Sequence, residues 1–118
     1  MATLDEIAEA ALGGDALQLR SLVQDWLRPE LRLEEVPCPA TRDAATLAVA
    51  AGLAELFAER AHQPAPNWTS VVGGLPEAVY LVRSAATMRR LRRMCAEESP
   101  EPLRRRNLFV PADFLVFV

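Results

Sequence analysis

A chain of 118 residues, of which half are hydrophobic and a quarter charged, has the composition of one globular domain rather than of a disordered protein. Its net charge of −3 hides an uneven distribution, because residues 1–82 carry a net charge of −7 and residues 83–118 carry +4. All thirteen basic residues are arginine, and eight of them follow residue 82. A chain with this asymmetric charge can steer a charged partner toward one of its ends.

Cellular location is predicted from what the sequence lacks. The N-terminus is acidic and has no apolar h-region, so we expect no secretory signal. The longest apolar stretch, residues 44–54, is too short to span a bilayer, which needs about 20 residues. Cys38 and Cys95 match no metal or redox spacing, so we expect two reduced thiols. These features favour a cytoplasmic protein without membrane contact.

The first 28 residues predict a helical hairpin. Thr3 and Glu6 form a capping box, and the apolar positions that follow repeat at helical spacing, which predicts a helix over residues 4–12. Two glycines end this helix, since glycine accepts the left-handed cap conformation. Asp15 is a good N-cap for a second helix, which an Arg-Pro step stops.

The middle of the chain predicts a linker and then a buried helix. Residues 29–41 contain three prolines and a charged run, which is typical of a linker with one helical turn at most. Thr41 is the expected cap of a helix over residues 42–61. Because that helix is apolar almost all the way round, we expect it to be the central buried element. Its charged residues, which include Glu55, are expected to mark a solvated end.

Residues 62–118 predict a Pro/Gly-rich loop followed by an arginine-rich module. The β-prone residues 78–82 are compatible with a strand or with a helical turn. Ser84 is a candidate cap for a helix to about residue 97, and Ser99 for a short helix that ends near residue 107. Residues 108–110 are a second candidate strand. The apolar residues 114–118 either enter the core, which we favour, or form an interface.

Catalysis finds little support in the residue pattern. The single histidine, His62, lies in a proline-rich segment without an adjacent nucleophile or carboxylate. No phosphate-binding loop, dinucleotide fingerprint or metal-ligand cluster is present in the sequence. We therefore predict no enzyme activity, no cofactor and no metal.

The arginines after residue 82 are the main candidates for binding. Arg89, Arg92 and Arg93 share one helical face, with Arg90 on its flank. This face is either solvated, with its arginines paired to the acidic half of the chain, or binds an acidic protein surface, or binds nucleic acid. Nucleic acid is the weakest of the three, because the basic area is small and lacks interleaved aromatic residues.

Two C-terminal motifs carry a resemblance to a family. Residues 64–68 read P-x-P-x-W, and residues 98–110 contain E-S-P-x-x-x-R-x-R-N-L-F. Residues 60–113 thereby resemble the C-terminal half of small uncharacterised bacterial proteins. Some of those look to be encoded beside nucleotidyltransferase-like or other toxin-like proteins, which implies an antitoxin-like role. Arg104 and Arg106 are too close to share one helical face, so we expect one of them to pair inward or with the linker acids Glu34 and Glu35.

The sequence as a whole predicts one mainly α domain: a hairpin over residues 1–28, a central helix and two arginine-bearing C-terminal helices, with short strands possible near 78–82 and 108–110. We expect a non-enzymatic protein-interaction module, antitoxin-like, whose partner is a protein, with a toxin-like enzyme as the candidate. The alternative is a small nucleic-acid-binding regulator, and a homodimer is compatible with either. The expected partner-binding residues are Arg89, Arg92, Arg93, Arg104, Arg106, Trp68 and Tyr80.

Overall fold

The computed structural model describes residues 3–28 and 30–116. Within these ranges the chain is mainly helical, as predicted, with one two-stranded sheet. The helices are α1 (Leu4–Gly13), α2 (Ala16–Trp26), α3 (Ala44–Arg60), α4 (Arg89–Glu98) and α5 (Glu101–Arg104), and the strands are β1 (Val79–Tyr80) and β2 (Leu108–Phe109).

The N-terminal hairpin forms because each helix has a local start signal. The Thr3 hydroxyl accepts a hydrogen bond from the Glu6 N–H at 3.4 Å and donates to the Glu6 carboxylate at 3.0 Å. Gly14 adopts a left-handed conformation, φ 74°, at the end of α1. The Asp15 carboxylate accepts from the Gln18 N–H at 3.0 Å and begins α2. The prediction of two short helices at this end is confirmed.

The central helix α3 is buried on nearly all sides, as the sequence predicted, but it begins two residues later than expected. Its N-cap is Asp43 and not Thr41. The Asp43 carboxylate accepts from the N–H and the hydroxyl of Thr46, at 3.0 and 2.6 Å, and the Thr41 hydroxyl accepts from the Asp43 N–H. The two bonds from Thr46 lower the pKa of the Asp43 carboxyl. A carboxylate with two local donors is the stronger cap.

The hydrophobic core lies around α3. Helix α1 packs along α3. The Trp26 and Phe57 rings, with centroids 5.9 Å apart, join the end of α2 to the C-terminal half of α3. Helix α5 crosses α3 at Gly52, where an added Cβ would lie 2.5 Å from the Leu103 side chain. The absence of a side chain at Gly52 therefore lets the C-terminal segment reach the central helix.

Residues 78–82 contain a strand rather than a helical turn. In the parallel sheet Val79 lies opposite Leu108, and Tyr80 lies opposite Phe109. The expected helix from Ser84 is wrong in its start, because α4 begins five residues later without a side-chain cap. Ser84 instead belongs to a 3₁₀ turn over residues 83–86, and its carbonyl oxygen accepts from the N–H groups of residues 87 and 88.

Ser99 does not cap α5, contrary to the sequence prediction. Its buried hydroxyl donates to the Leu108 carbonyl oxygen at 2.9 Å and accepts from the Val110 N–H at 3.4 Å. The sequence assigned the Ser99 hydroxyl to the start of α5. In the structure this hydroxyl instead bonds backbone groups at the edge of β2, because buried backbone polar groups need partners. Helix α5 ends at residue 104, and Asn107 turns the chain into β2 with φ 63°.

The remaining C-terminal and loop segments differ in how closely they follow the prediction. Phe114 and Leu115 are half-buried against the core, whereas Val116 is 50% exposed. The predictions for residues 117 and 118 lie outside the described residues. The expected loop after Pro66 contains a 3₁₀ turn over Asn67–Val71. Within residues 3–28 and 30–116, no helix has the length and apolar content needed to cross a membrane.

Candidate functional site

Helix α4 carries four exposed arginines, Arg89, Arg90, Arg92 and Arg93, which we call the basic face. The helix packs chiefly against the 3₁₀ turn over residues 83–86 and buries one side chain, Cys95. It therefore lies at the edge of the fold with most of its surface in solvent. The sequence prediction that these arginines share a helix is confirmed.

The fold uses little of the charge on the basic face. Arg93 pairs with Glu97 of its own helix at 3.1 Å, an exposed pair worth about 0.3–0.5 kcal/mol. Arg89 and Arg90 have no hydrogen-bond or ion-pair partner among residues 3–28 and 30–116. Among the same residues, no acid of the N-terminal half forms a salt bridge with this face. Its positive charge is thus available to another molecule.

Tyr80 links the basic face to the sheet. Its ring stacks on Phe109, with centroids 5.4 Å apart, and the Arg92 guanidinium carbon lies 4.7 Å from the Tyr80 centroid. A cation over an aromatic ring at an exposed site contributes about 0.5–1 kcal/mol. The structure thereby brings together two of the residues predicted to bind a partner, Tyr80 and Arg92.

A cleft of about 290 Å³ opens beside Tyr80. Its walls include the turn that ends α1, together with Arg83 and Arg92. One nitrogen of the Arg83 guanidinium donates to the Gly13 carbonyl oxygen at 2.9 Å, which holds that side chain across the cleft. Two guanidinium groups beside a phenol suit a carboxylate or a phosphate, since the planar guanidinium donates to both in pairs.

Two other predicted residues have partners within the fold. Arg104 is exposed, and its guanidinium donates to the Glu97 carbonyl oxygen at 2.7 Å, near the end of α4. Trp68 is half-buried, and its indole N–H donates to the Val36 carbonyl oxygen at 2.8 Å. Trp68 thus fixes the linker to the loop, and it forms no part of the basic face.

Arg106 is buried, with only 3% of its surface exposed. Its guanidinium pairs with both carboxylate oxygens of Glu55, at 2.7 and 3.2 Å. It also donates to the carbonyl oxygens of Pro102 at 2.8 Å and of Thr69 at 2.9 Å. The prediction that Arg104 or Arg106 pairs inward is confirmed for Arg106. As a partner-binding residue, however, Arg106 is misplaced, because a buried guanidinium is not accessible to another protein.

The sequence prediction placed Glu55 at a solvated helix end, and this is wrong. The side chain of Glu55 is 10% exposed, and its carboxylate also contacts Arg105. Burial raises the pKa of Glu55, but the hydrogen bonds and charge of Arg106, with the charge of Arg105, outweigh it and hold the pKa below its usual value. A single acid within the apolar run of residues 44–58 was the signal that could have identified this site.

His62 and Cys38 lie outside α4, whereas Cys95 is the buried residue of that helix. His62 is exposed in a left-handed conformation, φ 54°, just after α3. Cys38 is exposed and Cys95 is buried, and burial raises the pKa of the Cys95 thiol. In the part of the chain that the structure describes, no group of three or more His, Cys, Asp or Glu side chains is placed to hold a metal ion.

Comparison with known proteins adds no relative to this description. Neither protein-family models, nor curated proteins, nor solved structures gave a significant match to the chain.

Proposed function

We propose that this chain is a non-enzymatic protein-interaction module whose basic face binds an acidic surface of a partner protein. The observation that supports this most directly is the absence of intramolecular partners for Arg89 and Arg90 among the described residues. The mainly acidic N-terminal half has more than enough carboxylates to pair with them, yet it pairs with other groups or stays exposed.

The cleft beside Tyr80 gives the basic face a point of attachment. Arginine and tyrosine are enriched at the centres of protein interfaces, because each combines a large contact area with hydrogen-bonding groups. An acidic side chain of the partner would enter between Arg83 and Arg92, while the remaining arginines lie at the rim. Rim charges mainly raise the association rate, and the buried anchor sets the lifetime of the complex.

The antitoxin-like role is proposed on the resemblance of residues 60–113 to the bacterial proteins described above. A toxin-like enzyme of the same cytoplasm, with an acidic patch near its own site, is the partner that this resemblance implies. Such a partner would be neutralised by simple occlusion, which requires no catalytic residue in this chain.

The test is a comparison of two charge-reversed variants in partner capture. Arg89→Glu/Arg90→Glu reverses the part of the basic face that makes no internal contact, so the fold is expected to persist. Arg32→Glu/Arg42→Glu changes the net charge equally at exposed positions outside the basic face. Each tagged protein is used to capture partners from the cells that make it, followed by mass spectrometry. We expect the first variant to lose the wild-type partner and the second to retain it.

Equal capture by the wild-type protein and by Arg89→Glu/Arg90→Glu would contradict the proposed function. Equal loss in both variants would also contradict it, because the effect would then come from net charge and not from the basic face. Circular dichroism of each variant establishes that the helices remain.

A nucleic-acid-binding regulator is the alternative, and the observation that favours it is the Tyr80 ring under Arg92, one of the four exposed arginines of α4. Binding through phosphate contacts weakens steeply with salt, by about tenfold or more between 50 and 200 mM for a few contacts. Fluorescence anisotropy with a labelled duplex and a labelled single strand measures this directly. Absence of binding at low salt would exclude the alternative. Light scattering over the same salt range tests whether a second copy of the chain is the partner.

A further inference from the structure

A second cavity, of about 370 Å³, lies away from the basic face. One wall is the loop that follows the 3₁₀ turn over Asn67–Val71, and the other is the arginine segment after α5. The residues that line it are Ser70, Val72, Gly73, Gly74, Arg105 and Arg106.

The charges beside this cavity are not balanced. Arg105 and Arg106 share a single carboxylate, that of Glu55, which leaves one positive charge in excess. Arg106 is 3% exposed, and its Nε hydrogen is buried without an acceptor in the described structure. A buried guanidinium hydrogen without an acceptor is costly, by about 1–3 kcal/mol. The excess positive charge of Arg105 and Arg106 over Glu55 favours an anion beside them.

The loop wall offers further donors. The N–H groups of Gly73 and Gly74 have no acceptor among residues 3–28 and 30–116. The loop is anchored at Leu75, because the Leu75 N–H donates to the Arg106 carbonyl oxygen at 3.0 Å and the Asn107 side chain donates to the Leu75 carbonyl oxygen at 2.6 Å. At Gly74 an added Cβ would lie 2.7 Å from the Arg106 Cα, so the loop can lie against the arginine backbone only as glycine.

We propose that this cavity binds the phosphate group of a small organic ligand. Phosphate oxygens point in several directions, so one group can accept from backbone amides on one wall and from Arg105 on the other. Arg105 is half-exposed, and the exposed Ser70 hydroxyl lies at the rim. The cavity is several times larger than a phosphate ion and has the size of small-molecule sites, which indicates that the phosphate carries an organic group.

Phosphate binding here is independent of the proposed partner binding. None of the residues that line the cavity belongs to the basic face, and the two sites lie on different segments. Either function can therefore fail while the other persists, and separate variants report on each.

The experiment is a titration with inorganic phosphate followed by ¹H–¹⁵N NMR of the whole chain. We expect the amide signals of Gly73 and Gly74 to move in a saturable way. Arg105→Gln is expected to weaken this binding at least tenfold, because it removes the exposed guanidinium while Arg106 still pairs with Glu55. Arg104→Gln is the matched control, since it makes the same charge change at the adjacent residue, which does not line the cavity.

Three outcomes would overturn the proposal. The first is the absence of saturable shifts at these two glycines. The second is an equal loss of affinity in Arg104→Gln and Arg105→Gln, which would indicate a general charge effect. The third is tighter binding of acetate than of phosphate, which would assign the cavity to a carboxylate. Ser70→Ala supplies a second variant if Arg105→Gln does not fold. It is expected to weaken phosphate binding, because in the bound form the Ser70 hydroxyl would turn from the Asn67 carbonyl oxygen, 3.0 Å away, to the phosphate.

Discussion

Two groups of arginines lie in the last third of the chain, the basic face on α4 and residues 104–106, and only the second group contains a buried member. The basic face on α4 is exposed, whereas Arg106 after α5 is buried against Glu55. The difference in burial comes from the acidic residues near each group and not from the arginines themselves. Helix α3 presents one acid to the second group, and in the described residues no acid from another element pairs with the first.

This contrast separates a structural role from the proposed binding role. A buried ion pair contributes little net stability, because the loss of hydration offsets the attraction, but it orients the segments that it joins. Arg106 joins α3, the middle of the 3₁₀ turn at Thr69 and the start of α5 through four hydrogen bonds. The arginines of the basic face join no other segments in that way, and the side chains of Arg89 and Arg90 have no hydrogen-bond or ion-pair partner within the described residues.

The largest expected effect is the loss of Glu55. Glu55→Gln leaves the buried Arg106 without its counter-charge, and breaking one side of such a pair costs about 3–5 kcal/mol. Urea denaturation followed by circular dichroism measures the free energy of unfolding. Glu59→Gln, at an exposed position on the same helix, is the control and is expected to change it by less than about 0.5 kcal/mol. A loss below about 1 kcal/mol for Glu55→Gln would show that the pair is dispensable.

The same pair predicts a pH dependence. The pKa of Glu55 is lower in the folded chain than its usual value of 4.5, so its stabilising contribution is complete above that value and is lost as the pH falls through the folded pKa. The stability difference between wild type and Glu55→Gln should thus be constant near neutral pH and narrow below pH 4.5. Urea titrations at a series of pH values measure it. A difference that grows on acidification would contradict the assigned direction.

A smaller effect is expected at the loop beside Arg106. Gly74→Ala forces a Cβ against the Arg106 backbone and should destabilise the chain by about 1–3 kcal/mol. Gly73→Ala places its Cβ in open space, and it should be neutral or slightly stabilising. Thermal melting of both variants compares adjacent glycines under the same conditions. Equal melting temperatures would mean that the loop does not need its close contact with Arg106.

The smallest effect on stability is expected on the basic face. Arg89→Ala and Arg90→Ala should each change the free energy of unfolding by no more than about 0.5 kcal/mol, because neither side chain has a partner within the described residues. Urea denaturation of these variants beside Arg106→Ala tests the contrast directly. A destabilisation of either variant comparable to that of Arg106→Ala would place the basic face among the structural arginines.

Sequence reasoning succeeded where the signal was local and failed where several groups competed for it. The caps at Thr3 and Asp15 lie next to the helices that they begin, and both helices were predicted. Ser84 and Ser99 looked equally suitable as caps, yet one closes a 3₁₀ turn and the other bonds the edge of β2. Ser99 is committed to a strand nine residues away, which helix-cap patterns do not encode.

The arrangement of the candidate site shows the same division between local and tertiary signals. The shared face of Arg89, Arg92 and Arg93 follows from helical periodicity, so the sequence was sufficient to find it. The pairing of Tyr80 with Arg92 was not predictable, because it depends on where α4 lies relative to β1. The cavity beside Arg105 also depends on the fold, since its walls come from segments about 35 residues apart.

The amino-acid sequence by itself determined the mainly helical class, the buried alanine-rich helix α3 and the concentration of positive charge near the C-terminus. These follow from composition, periodicity and caps, which act over a few residues. Only the tertiary structure decided which arginines are buried and which are exposed. The reason is that the fate of each guanidinium depends on whether the fold brings an acid such as Glu55 within hydrogen-bond distance, and that distance is set by packing between elements 50 residues apart in the chain.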